Sequence, residues 1–398
     1  MLSGGLERFR GRENVGDRTP AYIEELTDEA SRLTRLIQQA TLMQLTESFP
    51  GLKLGVLTRA PRTYADVILR TCYPEIRWDS VVTFEDVRYA KPHPEGVRRA
   101  ATETDVRLDR IAIVGDSEPD IIAAFQAGAY SILFIDGWGR NWQENRQTRN
   151  EHFHALNLHP DAIVEKPDGL AETLTDPWKK LPILEYALTG MMQVSAITEL
   201  RIDRHRRFPP GRSAFGVDVY VMGRYFAANS NGRSRYNYSP RKCQHPLTKK
   251  LLETKDGAPW PDEWVQVCKE YILGHAKHSS LPHVVCPIPA KPGRPFRLEH
   301  LVSDIAAATG SHDKLVFDND ILYFRDGVVS NKNLGHQDRF ENIQNTLAVA
   351  NPSAVDGKVI IVIDDIVTTG ATLFYADQYL RAAGARNVVC LALAHTVS

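Results

Sequence analysis

Two adjacent carboxylates, Asp364 and Asp365, follow five apolar residues, Val359 to Ile363, and precede a turn of small and hydroxyl-bearing residues, Ile366 to Thr372. The apolar run reads as a buried strand of a parallel sheet. Leu373, Ala376, Leu380 and Ala383 follow at the spacing of an amphipathic helix. The first amides of such a helix have no carbonyl partners within it. With Thr368, Thr369, Gly370, Ala371 and Thr372 beside them they form a cradle for a phosphate. Carboxylates that can meet hydroxyls, next to a phosphate cradle, describe a sugar phosphate as ligand. Taken singly, adjacent acids at a strand end and a capped helix also suit an ordinary α/β crossover.

Taken whole, VIIVIDDIVTTGAT resembles the signature by which type I phosphoribosyltransferases bind phosphoribosyl pyrophosphate (PRPP). The resemblance implies that Asp364 and Asp365 contact the ribose 2- and 3-hydroxyls and that residues 368–372 hold the 5-phosphate. CPIPAKPGR, residues 286–294, is similar to the pyrophosphate loop of the competence-protein-F-like (ComF-like) branch and offers Lys291 and Arg294. LGHQDRFENI, residues 334–343, resembles that branch's mobile loop. Arg339 is the residue there best able to grip pyrophosphate, because a planar guanidinium binds phosphate oxygens two at a time. The branch's cysteine-rich zinc element is missing. The implied chemistry is phosphoribosyl transfer to a nitrogenous acceptor, with Mg2+ bridging pyrophosphate and ribose hydroxyls and Asp364, Asp365 and Arg339 as the catalytic residues. A PRPP-sensing regulator without turnover would need only residues 359–372 and a partner surface.

A second set of motifs precedes residue 140 and resembles the haloacid dehalogenase (HAD) phosphatase superfamily. LGVLTR ends a strand at Thr58, a phosphate ligand by that resemblance; KPHPEG supplies Lys91; GDSEPD supplies Asp116 and Asp120 as Mg2+ ligands. Alone, Thr58 could cap a helix, Lys91 could be a surface lysine, and the two acids could belong to a turn and a cap. The superfamily's nucleophile is the first carboxylate of an Asp-x-Asp after the first strand, and residues 1–51 contain none. Without that acid no aspartyl-phosphate forms. The missing strand would normally be the central one, so two sheet edges are expected to be left unpaired. Either the start is internal to a longer chain, carrying the motif upstream, or the domain is a remodelled pseudo-phosphatase. Asp318 and Asp320 in KLVFDNDIL have the right look in the wrong order and read as coincidence.

The elements that must carry these groups alternate. A helical pattern at 21–48 is followed by strands at 52–58, 80–84, 110–116 and 131–136 and by helices near 62–71, 94–103 and 119–127. Such alternation predicts a parallel sheet with helices on both faces. An apolar helical stretch, 178–194, and a basic Pro-containing segment interrupt the rhythm. A strand at 217–226, a hairpin turn at Asn231-Gly232 and renewed alternation from residue 283 follow. The expected architecture is α/β, two Rossmann-like parallel-sheet domains in tandem. Residues 1–175 would form the HAD-like domain, 176–195 a linker helix and 196–398 the phosphoribosyltransferase domain.

A chain of 398 residues exceeds one ordinary core. A formal net charge of −1 gives no electrostatic footprint for nucleic acid or membrane. No apolar stretch approaches about 18–20 residues, and the N-terminus lacks a signal peptide's apolar core. The expected setting is cytoplasmic, with PRPP and a small-molecule acceptor as partners and a homo-oligomer left open. Five scattered cysteines without a Cys-x-x-Cys pair indicate neither a disulfide framework nor zinc, and Cys243 with His245 reads as two loop residues.

Overall fold

The computed structural model describes residues 2–3, 19–138, 152, 154–156, 158–188, 198–202, 217–227, 236–329 and 334–397. They are α/β throughout, with mostly parallel sheets. The chain divides into two compact units, Met1–Lys180 with Ala228–Gln244, and Leu181–Ala227 with His245–Val397. The expected hairpin at Asn231-Gly232, most of the basic segment and the end of the stretch 178–194 lie outside the described residues. No helix among the described residues is long and apolar enough to cross a membrane.

The first unit opens with α1 (Pro20–Ser31) and α2 (Gln39–Ser48) rather than the single helix expected over 21–48. The break has a packing cause. Leu26 and Ala30 are buried with Ile68, Cys72 and Tyr73, whereas Leu45 is buried with Ile132, Phe134 and Val164, joined by Leu36 and Ile37. One straight helix cannot serve both clusters. Strand β1 (Gly55–Leu57), α3 (Arg62–Cys72), β2 (Ser80–Val82), α4 (Glu95–Thr104), β3 (Ala112–Gly115), α5 (Glu118–Ala127) and β4 (Tyr130–Phe134) then alternate. A short strand not expected from the sequence, β5 (Ala162–Val164), pairs with β4, and α6 (Gly169–Thr175) follows. Pairing among these strands is parallel but discontinuous: β1 pairs with β2, and β3–β4–β5 form a separate sheet, while the two-residue strands Leu2–Ser3 and Thr34–Arg35 pair antiparallel with each other. The short helix Ser239–Gln244 returns to this unit, where Arg241 forms an ion pair with the buried Asp161.

The linker helix expected at 176–195 is, over its described part, a 3-10 turn (Pro177–Lys180) that ends the first unit and a five-residue helix α7 (Ile183–Ala187) that begins the second. Pro182 stands immediately before α7 and separates the two. Strands β6 (Thr198–Ile202), β7 (Val217–Val221) and β8 (Arg224–Phe226) follow, then helices α8 (Pro246–Lys255) and α9 (Asp262–Lys277). Next come β9 (His283–Pro287), α10 (Arg297–Thr309), β10 (Leu315–Phe317), β11 (Leu322–Phe324), α11 (His336–Thr346), β12 (Leu347–Val349), β13 (Val359–Val367), α12 (Ala371–Ala382) and β14 (Asn387–Val397). The sheet order is β10-β9-β13-β14-β7-β6, parallel except for β6 against β7, with β8 added beside β14. The strand expected at 217–226 is interrupted at Met222-Gly223, and its two halves keep one register on β14. A Cβ at Gly223 would lie 3.1 Å from the Leu393 carbonyl oxygen and 2.6 Å from Leu247 Cδ1.

Strand β13 is the centre of this unit. Ile360, Ile361, Val362 and Ile363 are fully buried, each contributing about 1.5–3 kcal/mol by leaving water. Residues 334–343, expected as a mobile loop, are helical from His336, because Phe340 and Ile343 are buried at i, i+3 spacing. Phe340 packs edge-on against Phe374 and Tyr375 of α12. Beneath β8 lies a buried ion cluster. Arg224 Nε and Nη2 donate to Glu185 Oε1 and Oε2 at 2.9 and 2.6 Å, and His245 Nε2 lies 3.0 Å from Oε2.

Candidate functional site

Asp364 and Asp365 stand inside the end of β13, not beyond it, because β14 pairs with β13 as far as Val367. The two carboxyl groups lie close together but have different further partners. Asp365 Oδ2 accepts from Arg297 Nη1 at 2.8 Å and Oδ1 from the Ile366 amide at 2.7 Å. Arg297 is itself held by the Thr254 carbonyl and hydroxyl, at 3.1 and 3.0 Å, and lies over the Trp260 ring. Asp364 accepts from the Asp365 amide at 2.8 Å. Burial, then the neighbouring Asp365 charge, push its carboxyl up to about 8.

That shift has a thermodynamic consequence. Folded Asp364 keeps its proton where the unfolded chain has lost it, so stability is highest below the ordinary aspartate range and falls as pH rises to about 8. Asp364→Asn does not titrate. Its melting temperature is expected to gain on the wild type by roughly several °C between pH 5 and pH 8.5, then hold level; scanning calorimetry at both pH values checks this, and a pH-independent difference would contradict it.

The cradle follows directly. Gly370 caps α12 at φ 75°, a left-handed conformation that a side chain would strain, and the Phe374 amide closes the first turn on its carbonyl. Thr368 Oγ1 lies 3.0 Å from Thr396 Oγ1, which ties the turn to β14. Thr369, Ala371 and Thr372 complete the turn and the helix start. On the other side of β13, the loop after β9 starts with the Ile288 amide on the Ile363 carbonyl, 2.8 Å away. Lys291, on this loop, donates to the Val329 carbonyl at 2.7 Å. Burial holds its ammonium below the usual lysine value, opposed by the charge of Asp364 and aided by Arg294. The Arg294 side chain is exposed. Arg339, on α11, donates from Nε to the Leu334 carbonyl at 3.1 Å. Asp364, Asp365 and Lys291 therefore share one neighbourhood, the cradle continues their strand, and Arg339 belongs to a helix packed on α12. Arg297, Lys255 and Tyr225 also belong to this neighbourhood, and no local motif points to them.

In the first unit Thr58, Lys91, Asp116 and Asp120 gather where β1 and β3 end. Lys91 Nζ donates to the Leu57 carbonyl at 3.0 Å and to Asp120 Oδ1 at 2.6 Å; Ser117 Oγ donates to Asp120 Oδ2 at 2.6 Å. The Thr58 hydroxyl accepts from the Ala60 amide. Both oxygens of Asp120 are thus engaged, while Asp116 is pushed up by burial and by the Asp120 charge. All four line one cavity of about 1420 Å³, along with Gly55, Val56 and Leu57 of β1 and Ala112–Gly115 of β3. Among the described residues neither strand edge has a partner across it. No group of three or more His, Cys, Asp or Glu among the described residues is placed to hold a metal. Mg2+ fits this set only in the way it usually binds, through one or two carboxylates and retained waters, with Asp116 as the carboxylate not already bonded to a cation. Asp318 and Asp320 belong to the second unit, where the Asp318 amide bonds to the Val285 carbonyl.

Residues 5–134 match the haloacid dehalogenase-like hydrolase family, so the N-terminal part of the chain is a HAD-like hydrolase domain. The chain is 29% identical over 155 residues to the Pyrophosphatase PpaX of Bacillus anthracis, covering 39% of this chain and 63% of that protein. To that of Anoxybacillus flavithermus it is 29% identical over 124 residues, 31% and 53% of the two chains. It therefore spans less than two thirds of the length of these curated relatives. Among solved structures, a phosphonoacetaldehyde hydrolase-like protein from Oleispira antarctica aligns at TM-score 0.33 and 19% identity over 44% of this chain and 67% of that one. CbbY from Rhodobacter sphaeroides, in complex with phosphate, aligns at TM-score 0.26 and 25% identity over 33% and 64%.

Proposed function

We propose that the second unit transfers ribose 5-phosphate from PRPP to a nitrogenous acceptor, alongside the HAD-like hydrolase domain. The observation that carries this reading is the continuity of the acid pair, the left-handed Gly370 and the start of α12 in one strand–turn–helix. In the transfer, the C1–O bond to pyrophosphate breaks and its electron pair leaves with pyrophosphate. The acceptor nitrogen's lone pair forms the C1–N bond, and an N–H acceptor releases its proton to water. Mg2+ brought with PRPP would supply the charge that offsets the pyrophosphate oxygens. The residues place and polarise. Asp364 and Asp365 orient the ribose hydroxyls, residues 368–372 hold the 5-phosphate, and Lys291, Arg294 and Arg339 favour pyrophosphate departure. A bound Mg2+ would favour the Asp364 anion, so PRPP binding would be accompanied by proton release where the free site holds Asp364 protonated. Lys291→Ala is expected to lose PRPP affinity about tenfold or more while ribose 5-phosphate affinity stays unchanged; equal losses of both ligands by calorimetry would place Lys291 elsewhere.

For the first unit, the hydrolase family and the pyrophosphatase relatives favour a phosphate-ester or pyrophosphate ligand held by Thr58, Lys91 and Asp116. Pyrophosphate is also the leaving group of the proposed transfer. Turnover requires an attacking carboxylate, and residues 1–51 hold no Asp-x-Asp. The 398-residue chain is therefore expected to hydrolyse neither p-nitrophenyl phosphate nor pyrophosphate above an Asp116→Ala control. Robust Mg2+-dependent hydrolysis abolished by Asp116→Ala would show that another carboxylate serves as nucleophile and would return the phosphatase reading.

A further inference from the structure

The flank of Asp365 carries groups that the donor's ribose and phosphates do not use. In the sheet, β13 lies between β9 and β14. The loop bearing Lys291 leaves β9, whereas Tyr225 sits on β8, beside the far strand β14. Tyr225 is half-buried and near enough to Asp365 that burial, then this carboxylate, raise its phenol above the usual value. The Lys255 ammonium lies over the Tyr225 ring, 5.1 Å from its centroid, and the charges of both Asp365 and Asp364 act on it. Arg297 pins the last turn of α8 to the acid pair through Thr254 and Asp365. Arg297 is thus committed, whereas the Lys255 ammonium makes no hydrogen bond or ion pair among those of the described residues.

An aromatic face and a cation without a hydrogen bond among the described residues, next to a ribose site, suit a flat, negatively charged molecule. A ring stacks on tyrosine at low entropic cost, and a carboxylate at its edge gains a charge-assisted bond from the ammonium. Displacement at C1 brings the nucleophile from the side opposite the leaving group. With pyrophosphate on the Lys291 loop beyond β9, the entry across β13 is that of Tyr225, on β8 beside β14, with Lys255 over its ring. We propose, on the reading that this unit takes PRPP, that its acceptor is a planar nitrogen heterocycle or arylamine bearing a carboxylate, with Tyr225 as its stacking face and Lys255 as the residue that selects its charge. The C1–N bond forms at the ring or amine nitrogen, the carboxylate is unchanged, and pyrophosphate leaves with the C1–O electron pair.

The test uses the full chain loaded with Mg2+ and ribose 5-phosphate, which cannot react. Pyridine-3-carboxylate is titrated against pyridine-3-carboxamide, and 2-aminobenzoate against 2-aminobenzamide, by calorimetry. In at least one pair the carboxylate is expected to bind about tenfold tighter than the amide, and Lys255→Met is expected to abolish the preference. Mg2+-PRPP affinity of Lys255→Met should stay within about twofold of wild type, as for a residue outside the donor site. Absence of a carboxylate preference in both pairs, or a preference that survives Lys255→Met, would overturn the proposal. A parallel loss of PRPP affinity in Lys255→Met would also overturn it, by placing the lysine on the donor. Failure of wild-type protein to bind Mg2+-PRPP would instead refute the reading on which the proposal rests.

Discussion

The double variant Asp364→Asn/Asp365→Asn is expected to lose Mg2+-dependent affinity for PRPP by about a hundredfold or more, since charge-assisted bonds contribute roughly 1.5–3 kcal/mol each. Asparagine keeps the size of aspartate and an acceptor oxygen, so Asp364 and Asp365 can be neutralised with little change in packing. Arg297 loses its carboxylate but keeps the Thr254 carbonyl and hydroxyl and the Trp260 face. The phosphate cradle at 368–372 is untouched, and ribose 5-phosphate should retain the part of its affinity that comes from phosphate. Calorimetry on the folded variant reads the loss; PRPP binding equal to wild type would sink the assignment of these acids to the ribose.

The second large effect is structural. Arg224→Met would leave the Glu185 carboxylate buried without its guanidinium, beside His245 alone of the two partners, a change expected to cost about 3–5 kcal/mol in urea unfolding. Burial alone would raise the Glu185 pKa, but Arg224 and His245 outweigh it and hold the carboxyl well below its usual range. The stability this gives is present above the ordinary glutamate range and disappears as pH falls through the depressed value. Replacing both partners, as Glu185→Leu/Arg224→Met, should recover most of the loss, because no buried carboxylate is left without its guanidinium. An Arg224→Met protein as stable as wild type would show that Glu185 is solvated or neutral, contrary to its burial with Arg224.

What the amino-acid order shows in advance is what is contiguous. The strand from Val359, the acid pair and the turn through Gly370 lie within fourteen residues, and each is set by local chemistry. Even there the strand runs four residues further than its apolar run, to Val367, because pairing with β14 extends it. Arg297, Lys255 and Tyr225 reach the acid pair from α10, α8 and β8, and Arg297 and Asp365 are 68 positions apart. No spacing rule carries such contacts. The helical pattern at 21–48 read correctly as helix and missed the break, since the two apolar clusters that divide it are formed by distant residues. The loop expected at 334–343 is a helix for a similar reason. Phe340 and Ile343 acquire a helical face only once α12 is there to cover Phe340. In the first unit, edges of β1 and β3 without a partner among the described residues are legible from the absence of a strand ending in Asp-x-Asp. The way Lys91 and Ser117 take up Asp120 is not, because it depends on side-chain geometry at the ends of separate elements.

The central claim is most directly tested by titrating the wild-type chain with PRPP in calorimetry, with Mg2+ and again with EDTA. One site per chain is predicted, dependent on Mg2+, competed by ribose 5-phosphate and accompanied by proton release near neutral pH as Asp364 ionises. No binding with Mg2+, or binding indifferent to EDTA and to ribose 5-phosphate, would contradict it.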